Sequence, residues 1–317
     1  MTSYKPLFAR NESNLIITGA NGFVGTSIVD FLTTLGETSL PQRVYLLGRS
    51  PQYKMEAKLR LVNTQVEYLQ RDLTNKWDFE IPDAVLINLA ADGSQSSYSQ
   101  EASDNYIQIG ANLTEWLKGN QVRKIFHAST GAVTDALKPL ALDKSDCETS
   151  FSRKKAFINS RKKVESMLLD SSYKFKGDLT IARLFSFIGP NILEKKQYAV
   201  SSFIDQAFVN NEVIVQGNPG TIRSYLDHKD MVAAILRSLD FQLKINVFSL
   251  GSRIKVSMSD LAQFVALETN SLVIYQNPGL PGDSYAVEKT DTSDKLMVRE
   301  TVTWKESVRE CIHFLRR

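Results

Sequence analysis

The sequence predicts an α/β fold in which a doubly wound parallel sheet carries a smaller C-terminal lobe. Short apolar runs alternate with segments of helical spacing over the first 190 residues. Such runs are typical of parallel strands that helices cover on both faces. A glycine-rich turn at residues 18–25 joins the first apolar run to the first helical segment. The length of 317 residues suits about two domains.

The predicted elements follow one another in a regular order. Strands are expected at residues 15–17, 44–47, 66–69, 84–90, 124–128 and 179–182, and helices at 28–35, 109–117 and 157–169. Gly36 is expected to end the first helix. Beyond about residue 190 the alternation weakens, so 1–190 are predicted to form one domain and 191–317 mainly a smaller lobe. Segments near 221–252 are expected to return to the first domain, with 247–250 joining its sheet.

Composition and charge exclude several classes of protein. Apolar residues make up 43% and charged residues 23%, as in soluble globular proteins. The net charge of +3 is spread along the chain, which argues against a nucleic-acid partner. No apolar run is long enough to span a membrane, and the N-terminus lacks a signal pattern, so a cytoplasmic location is expected. Cys147, Cys311 and three scattered histidines predict neither a disulfide scaffold nor a metal site.

The glycine turn has the spacing of a dinucleotide-binding loop. Gly19, Gly22 and Gly25 lie between a predicted strand and a predicted helix. A residue without a Cβ permits the tight turn, and the bare backbone lets a pyrophosphate approach the positive end of the helix dipole. The sequence therefore predicts a Rossmann-type first domain that binds a dinucleotide. The alternative is that the glycines serve only the turn.

The residues that end the second and third predicted strands bear on the choice of dinucleotide. An acidic residue after the second strand would accept the ribose hydroxyls of NAD(H), but this place holds Arg49. A guanidinium suits a 2′-phosphate, so NADP(H) is favoured and NAD(H) is the alternative. Arg49 could instead be an exposed loop residue. Asp72, at the end of the third strand, is placed to accept from the adenine amino group.

Further motifs occur in order along nearly the whole chain. They are T-G-A-N-G-F-V-G at 18–25, D-L at 72–73, N-L-A-A at 88–91, S-T-G-A-V at 129–133, R-L-F-S-F-I-G-P at 183–190, G-T-I-R-S-Y-L-D-H-K-D at 220–230 and P-G-D at 281–283. Together they resemble the motifs of the extended short-chain dehydrogenase/reductase family, which includes nucleotide-sugar epimerases, dehydratases and ketoreductases. The resemblance implies a nicotinamide cofactor and a nucleotide-sugar substrate. It also implies a homodimer through the helices near 100–118 and 157–169.

The resemblance extends to individual positions. With Arg49 and Asp72, the expected cofactor contacts are Gly19, Asn21, Gly22, Phe23, Val24, Gly25, Leu73, Leu89, Ala90, Ala91 and Arg161. The expected substrate contacts are Ser129, Thr130, Ser186 and Arg223. Thr130 matches the catalytic hydroxyl that polarises a carbonyl, although a threonine there could also cap a turn. Arg223 would anchor an anionic or diphosphate group, the alternative being a surface ion pair.

The catalytic helix departs from the family pattern. The family uses Y-x-x-S-K-x-x-x-E, whereas this chain has Phe157, Ser160, Arg161 and Glu165 at those positions. Phenylalanine has no proton to give, while arginine stays cationic and is still able to contact ribose hydroxyls. Loss of a positioned acid or base typically costs about 10²- to 10⁴-fold in rate.

Other residues are candidates to supply the missing proton. Two further segments read Y-x-x-x-K, from Tyr225 to Lys229 and from Tyr285 to Lys289, but eleven tyrosines and many lysines make such spacings expected by chance. Cys147 is a candidate surrogate acid or a plain loop cysteine. His127 is expected to be a satisfied sheet histidine.

Three more departures from the family pattern limit the reactions that the chain is expected to catalyse. Ser186 replaces the family asparagine, Leu280 replaces an arginine, and Gly131 stands where 4,6-dehydratases have an Asp-Glu pair. Water elimination by that route is therefore disfavoured, and reduction or epimerisation is favoured. The alternatives are a cofactor-binding regulatory protein that has lost its acid/base group, and a subunit that receives the group from a partner.

Overall fold

The computed structural model describes residues 14–35, 40–49, 65–91, 98–134, 137–140, 147–194, 197–240, 243–279, 282–287 and 300–316. The chain divides into two compact units that interleave along the sequence. The first unit comprises Met1–Ser129, Arg153–Ala182 and Val232–Phe248. The second unit comprises Thr130–Ser152, Arg183–Met231 and Ser249–Arg317.

The described strands and helices are numbered in chain order. The strands are β1 (Asn14–Thr18), β2 (Arg43–Gly48), β3 (Gln65–Gln70), β4 (Ala84–Asn88), β5 (Val122–Thr130), β6 (Leu137–Leu140), β7 (Asp178–Leu184), β8 (Ser186–Ile188), β9 (Glu212–Val215), β10 (Ile222–Asp227), β11 (Ile245–Leu250), β12 (Lys255–Ser257), β13 (Leu272–Tyr275) and β14 (Gly282–Tyr285). The helices are α1 (Phe23–Leu32), α2 (Gln100–Gly119), α3 (Cys147–Ser171), α4 (Ala199–Asn210), α5 (His228–Leu239), α6 (Met258–Thr269) and α7 (Trp304–Leu315). Among the described residues, no helix combines the length and apolar character that a bilayer crossing requires.

The first unit is built on a mostly parallel sheet. Within the described residues its seven strands lie in the order β11-β7-β5-β4-β1-β2-β3. Strand β1 pairs in parallel with β2 and β4, and the pairs β2–β3 and β4–β5 are also parallel. The predicted α/β fold is confirmed, including the return of 247–250 to this sheet as part of β11.

Both faces of this sheet are buried, as the apolar runs predict. Ile16 and Leu86 belong to a core cluster that includes Leu113 of α2 and Val164 of α3. Side chains alternate along a strand, so Leu15 and Ile17 point to the opposite face, where they are also fully buried. Trp77 and Trp116 pack in the cluster, with ring centroids 5.6 Å apart.

The second unit contains shorter strands with mixed pairing. A sheet in the order β12-β10-β14-β6 includes the antiparallel pairs β10–β12 and β14–β6, and β8 joins β10 in parallel. Strands β9 and β13 form a separate parallel pair. Trp304 of α7 packs edge-on against Phe264 of α6.

The two units differ in outline from the single division that the sequence suggested at residue 190. Residues 232–248 lie in the first unit, whereas β10, within the same predicted return of 221–252, belongs to the second. Residues 130–152 also group with the second unit. The assignment of cofactor and substrate binding to separate parts of the chain stays a prediction.

Candidate active site

The glycine turn between β1 and α1 leaves no space for side chains. Gly19 has a φ of +68°, and a Cβ there would lie 2.7 Å from the carbonyl oxygen of Leu89. A Cβ on Gly25 would lie 2.5 Å from the Cα of Ala20. Gly22 is the N-cap of α1, and a Cβ there would lie 3.1 Å from the carbonyl oxygen of Gly19. The turn therefore requires glycine at its first and last positions for steric reasons.

The start of α1 suits an anionic group. Gly22 provides no side-chain cap, and the first turn contains no acidic residue. Asn21 is exposed there, while Phe23 and Val24 are half-buried. Because the first amides of a helix have no partner within it and lie at the positive end of its dipole, this turn fits a pyrophosphate.

The end of β4 lies beside the glycine turn. The amides of Leu89 and Ala90 both donate to Thr18 Oγ1, at 3.0 and 3.2 Å. Ala91 follows as an exposed residue. Leu73 is buried in the core cluster, so its side chain serves packing, and its carbonyl accepts from the indole of Trp77.

The two residues predicted to select the dinucleotide end neighbouring strands. Arg49 follows β2 and is exposed. Asp72 accepts from the amide and the hydroxyl of Thr74, at 3.0 and 2.7 Å. These hydrogen bonds, with a smaller contribution from the Arg49 charge, lower the pKa of Asp72. The carboxylate is therefore a fixed, ionised acceptor beside Arg49.

The predicted catalytic helix places Arg161 against aromatic rings. Its guanidinium carbon lies 3.6 Å from the ring centre of Tyr106 and 4.3 Å from that of Phe157. Its Nη1 donates to Ser160 Oγ at 3.0 Å, and the residue is 4% exposed. Phe157 in turn packs on Tyr98, with ring centroids 5.0 Å apart. The phenyl ring of Phe157 thus forms a cation–π contact with Arg161.

A buried polar chain that sequence reasoning missed runs through the first unit. Thr18 Oγ1 donates to Asn88 Oδ1 at 2.6 Å, and Asn88 Nδ2 donates to His127 Nδ1 at 2.9 Å. Since Nδ1 accepts, the imidazole proton lies on Nε2, which faces the Tyr106 hydroxyl at 3.1 Å. The sequence signal that could have revealed this chain is the presence of polar residues at the ends of the buried strands β1, β4 and β5.

The residues of this buried polar chain are held in one protonation state. Burial, together with the charge of Arg161, lowers the pKa of His127 to about 3. Burial also raises the pKa of Tyr106 to about 12. The prediction that His127 is a satisfied sheet histidine is confirmed, because both of its ring nitrogens have hydrogen-bond partners.

The two hydroxyl residues at the end of β5 have different partners. Ser129 Oγ donates to the buried carboxylate of Glu165 at 2.5 Å. Thr130 Oγ1 accepts from the amide of Ala132 at 3.2 Å, so it caps the turn that follows. The same oxygen lies 3.0 Å from the phenol oxygen of Tyr285.

Two predicted substrate residues contact Tyr285 in the second unit, and a third follows its hydrogen-bond partner Leu184 along the chain. Thr130 contacts its hydroxyl, and the guanidinium carbon of Arg223 lies 5.9 Å from its ring centre. Arg223 also donates to the carbonyl of Ile222. Ser186 begins β8, two residues after Leu184, whose carbonyl accepts from Tyr285. Cys147, Gly36, Leu280 and Lys289 lie outside the side chains that the structure describes.

One group of possible metal ligands occurs among the described residues of the second unit. Ligand atoms of Asp227, His228 and Glu310 lie within 4.8 Å of one another. Lys229 Nζ donates to both carboxylate oxygens of Glu310, and Ser307 donates to Asp227. Both carboxylates therefore already have protein donors, and we assign no metal to them.

Comparison with known proteins identifies the family. The family model described as "NAD dependent epimerase/dehydratase family" matches residues 15–251, which include the glycine turn, Thr130 and Arg161. The chain belongs to this family. Its members include proteins of several activities, and the match alone selects none of them.

Individual relatives of this family member are distant. UDP-glucuronic acid decarboxylase 2 of Arabidopsis thaliana is 21% identical over 258 residues, which cover 81% of the chain and 57% of the relative. UDP-glucuronic acid decarboxylase 4 of the same plant is 20% identical over 94% of the chain and 66% of its own length. The chain thus spans between about half and two thirds of these curated relatives.

Solved structures share the fold of the whole chain. A UDP-glucuronic acid 4-epimerase mutant from Bacillus cereus, in complex with NAD and a fluorinated UDP-sugar, has a TM-score of 0.75 and 18% identity, covering 96% of this chain and 99% of that one. A UDP-galactose 4-epimerase has a TM-score of 0.72 and 22% identity, covering 96% and 98%. The NAD-dependent NDP-hexosamine 5,6-dehydratase of tunicamycin biosynthesis has a TM-score of 0.75 and 18% identity, covering 96% and 97%. Identities this low establish the extended epimerase-type fold and nothing finer.

Proposed function

We propose that the chain is an NAD(P)(H)-dependent oxidoreductase or epimerase that acts on a nucleotide-activated sugar, with ketoreductase-like chemistry. The observation that carries the proposal is the turn at Gly19, Gly22 and Gly25, where side chains are excluded and an uncapped helix begins. A pyrophosphate fits such a turn. Relatives named as acting on UDP-sugars support the nucleotide-sugar class.

The proposed cofactor residues are those of the turn and of the neighbouring strand ends. The turn residues Gly19, Asn21, Gly22, Phe23, Val24 and Gly25 and the β4 segment from Leu89 to Ala91 would cradle the diphosphate end. Asp72 would accept from the adenine amino group. Exposed Arg49 favours NADP(H), whereas the NAD bound in a structural relative keeps NAD(H) as the alternative. When bound, the nicotinamide supplies or removes a hydride at the sugar carbon.

The remaining roles follow from charge and hydroxyl placement. Thr130 is proposed to polarise the substrate carbonyl, Ser129 and Ser186 to line the sugar site, and Arg223 to hold an anionic or diphosphate group. Arg161 provides a permanent positive charge on α3 and is proposed to donate to the nicotinamide ribose. A cytoplasmic location and a homodimer through the helices near 100–118 and 157–169 belong to the same proposal.

A cofactor-oxidation assay tests this function. The protein is mixed with NADPH or NADH and a panel of 4-keto nucleotide sugars, and the absorbance of the reduced nicotinamide is followed. We expect turnover with at least one uridine-diphosphate sugar, and faster turnover with NADPH. Mass spectrometry of small molecules released from the purified protein identifies the cofactor and any retained sugar nucleotide. Absence of turnover with every substrate and both cofactors contradicts the proposal.

The second candidate, a regulatory protein that binds cofactor without turning it over, is favoured by one observation. Phe157 occupies the position of the family acid and holds Arg161 by a cation–π contact. The variant Phe157→Tyr with Arg161→Lys restores the family pair. If the regulatory reading is right, the variant gains activity that the wild type lacks. A wild type that already turns over as fast as the variant excludes that reading.

A further inference from the structure

The second unit contains a phenol, Tyr285, that is hydrogen-bonded to the predicted catalytic hydroxyl of Thr130. Tyr285 Oη lies 3.0 Å from Thr130 Oγ1 and donates to the carbonyl of Leu184 at 2.9 Å. Because the phenol donates its single proton to the Leu184 carbonyl, the Thr130 hydroxyl is the donor between the two oxygens. The result is a hydrogen-bonded couple of the Thr130 alcohol and the Tyr285 phenol.

The ring of Tyr285 is held by close packing. Phe185 stacks on it with ring centroids 4.7 Å apart and an interplanar angle of 25°. Glycines fix Phe185 in turn, because a Cβ on Gly131 would lie 2.3 Å from its ring and a Cβ on Gly251 would lie 2.8 Å from its Cβ. The phenol oxygen is thus preorganised beside Thr130, as proton transfer requires.

Tyr285 differs from a neighbouring tyrosine in its exposure and lies near a positive charge. It is half-buried, whereas Tyr225 on the neighbouring strand β10 is buried and burial raises its pKa strongly. Arg223, whose guanidinium carbon lies 5.9 Å from the Tyr285 ring centre, supplies positive charge that would stabilise a phenolate. A phenol, with an ordinary pKa of about 10, releases a proton far more readily than an aliphatic alcohol such as Thr130.

We propose that Tyr285 supplies the proton that Phe157 cannot, and so acts as the acid/base group of the reaction; this rests on the proposed function. In the reductive direction the carbonyl π bond of the sugar opens towards oxygen while its carbon receives the hydride of the reduced nicotinamide. The Tyr285 Oη–H bond breaks and the proton forms the new hydroxyl of the sugar. Thr130 donates its single proton to the substrate oxygen while the carbonyl is intact, and to the phenolate once the Tyr285 proton has been transferred. The phenolate then takes a proton from solvent water. Rotation about the phenol C–O bond turns the proton from the Leu184 carbonyl to the substrate without moving the ring.

The variant Tyr285→Phe tests the proposal, because it removes one oxygen and keeps the ring stack. We expect kcat to fall by about 10²- to 10⁴-fold, while the affinity for the nicotinamide cofactor stays at the wild-type value. The matched control is Tyr275→Phe, which removes another phenol of the same unit, bonded to Ser259 Oγ at 2.7 Å. The control is expected to keep the wild-type kcat. A Tyr285→Phe enzyme that turns over at the wild-type rate overturns the proposal.

A second measurement needs neither substrate nor cofactor. Ultraviolet difference titration between the wild type and Tyr285→Phe locates the ionisation of this phenol. In Thr130→Val the phenolate loses a donated hydrogen bond, so its ionisation is expected to move to higher pH. If the ionisation of Tyr285 occurs at the same pH in Thr130→Val as in the wild type, the hydrogen-bonded couple does not act as proposed and the proposal is overturned. A wild type without turnover would instead contradict the proposed function, and the two failures are thereby distinguished.

Discussion

Arg161 brings a permanent charge into the interior of the first unit, and its neighbours show how that charge is tolerated. The guanidinium stacks on Tyr106 and Phe157, which are both aromatic, and donates to Ser160. A desolvated cation over an aromatic face gains about 2 kcal/mol or more. The same charge acts on His127 and, with burial, keeps that imidazole neutral. In the predicted catalytic helix, the Arg161 cation and the Phe157 ring therefore stabilise each other.

The neutral state of His127 predicts how stability depends on pH. The folded pKa of about 3 lies below the ordinary value of 6.5. Above pH 6.5 the imidazole is neutral in both states and contributes nothing to the pH slope. Between 6.5 and about 3 only the unfolded chain takes up the proton, so the free energy of unfolding falls as pH falls, by about 1.4 kcal/mol per pH unit.

The variant His127→Gln removes this titration and keeps an acceptor for Asn88. Urea unfolding of both proteins between pH 7 and pH 4 should show the wild type losing stability more steeply than the variant. His313→Gln, which replaces an exposed histidine of α7, is the matched control. Parallel pH curves for the wild type and His127→Gln would contradict the prediction.

At the scale of elements, helix starts differ in whether a side chain caps their first amides. Ser99 caps α2 by accepting from the amide of Ala102, and Ser257 and Thr303 form capping boxes at α6 and α7. At α1, Gly22 occupies the N-cap without a side-chain acceptor. Replacing a serine or threonine cap costs about 1 kcal/mol. Helix α4 also begins without a side-chain cap, at Tyr198. The missing cap at α1 therefore favours a ligand only in combination with the close-packed glycines of the turn.

Gly19→Ala is expected to weaken both the fold and cofactor binding. Its φ of +68° disfavours alanine, and the new Cβ would displace the Leu89 backbone that borders the turn. The strain is about 1–3 kcal/mol. Gly119→Ala is the matched control, because it lies at the end of α2 with nothing within 4 Å of its Cβ. Thermal unfolding and the fluorescence of bound NAD(P)H should show losses in Gly19→Ala alone. Equal cofactor affinity in the two variants would exclude the turn as the cofactor site.

At the scale of the whole molecule, the two units differ in how far the sequence predicts them. The strands of the first unit carry apolar runs such as 15–17 and 84–88, so these strands and their succession along the chain were predictable. Strands β8, β12 and β14 have only three or four residues, which is too short for a periodic signal. The pair of Thr130 and Tyr285 joins residues 155 positions apart, so no local pattern indicates it. The predicted replacement of the family tyrosine and lysine by Phe157 and Arg161 rests on the sequence alone, whereas the contact between Thr130 and Tyr285 is visible only in the tertiary structure.

The predicted homodimer depends on the outer faces of α2 and α3, and those faces are polar. On α2 the exposed residues Glu101, Asp104 and Glu115 are acidic, and on α3 the exposed residues Lys155, Lys162 and Lys163 are basic. Among the described residues of these two helices, no large apolar side chain is exposed. A pairing of α2 with the partner's α3 would therefore depend on opposite charges.

Such a dimer should respond to salt and to charge reversal. The Debye length falls from about 10 Å at 0.1 M salt to about 3 Å at 1 M, so sedimentation velocity is expected to show dissociation as salt rises. Reversal of Lys162 and Lys163 to glutamate should dissociate the dimer at low salt, and adding Glu101→Lys with Asp104→Lys should restore it. Leu267→Gln on α6, a residue 76% exposed, is expected to leave the dimer intact. If Leu267→Gln alone abolishes the dimer, the contact includes Leu267 of the second unit and the predicted pairing of α2 with α3 is wrong.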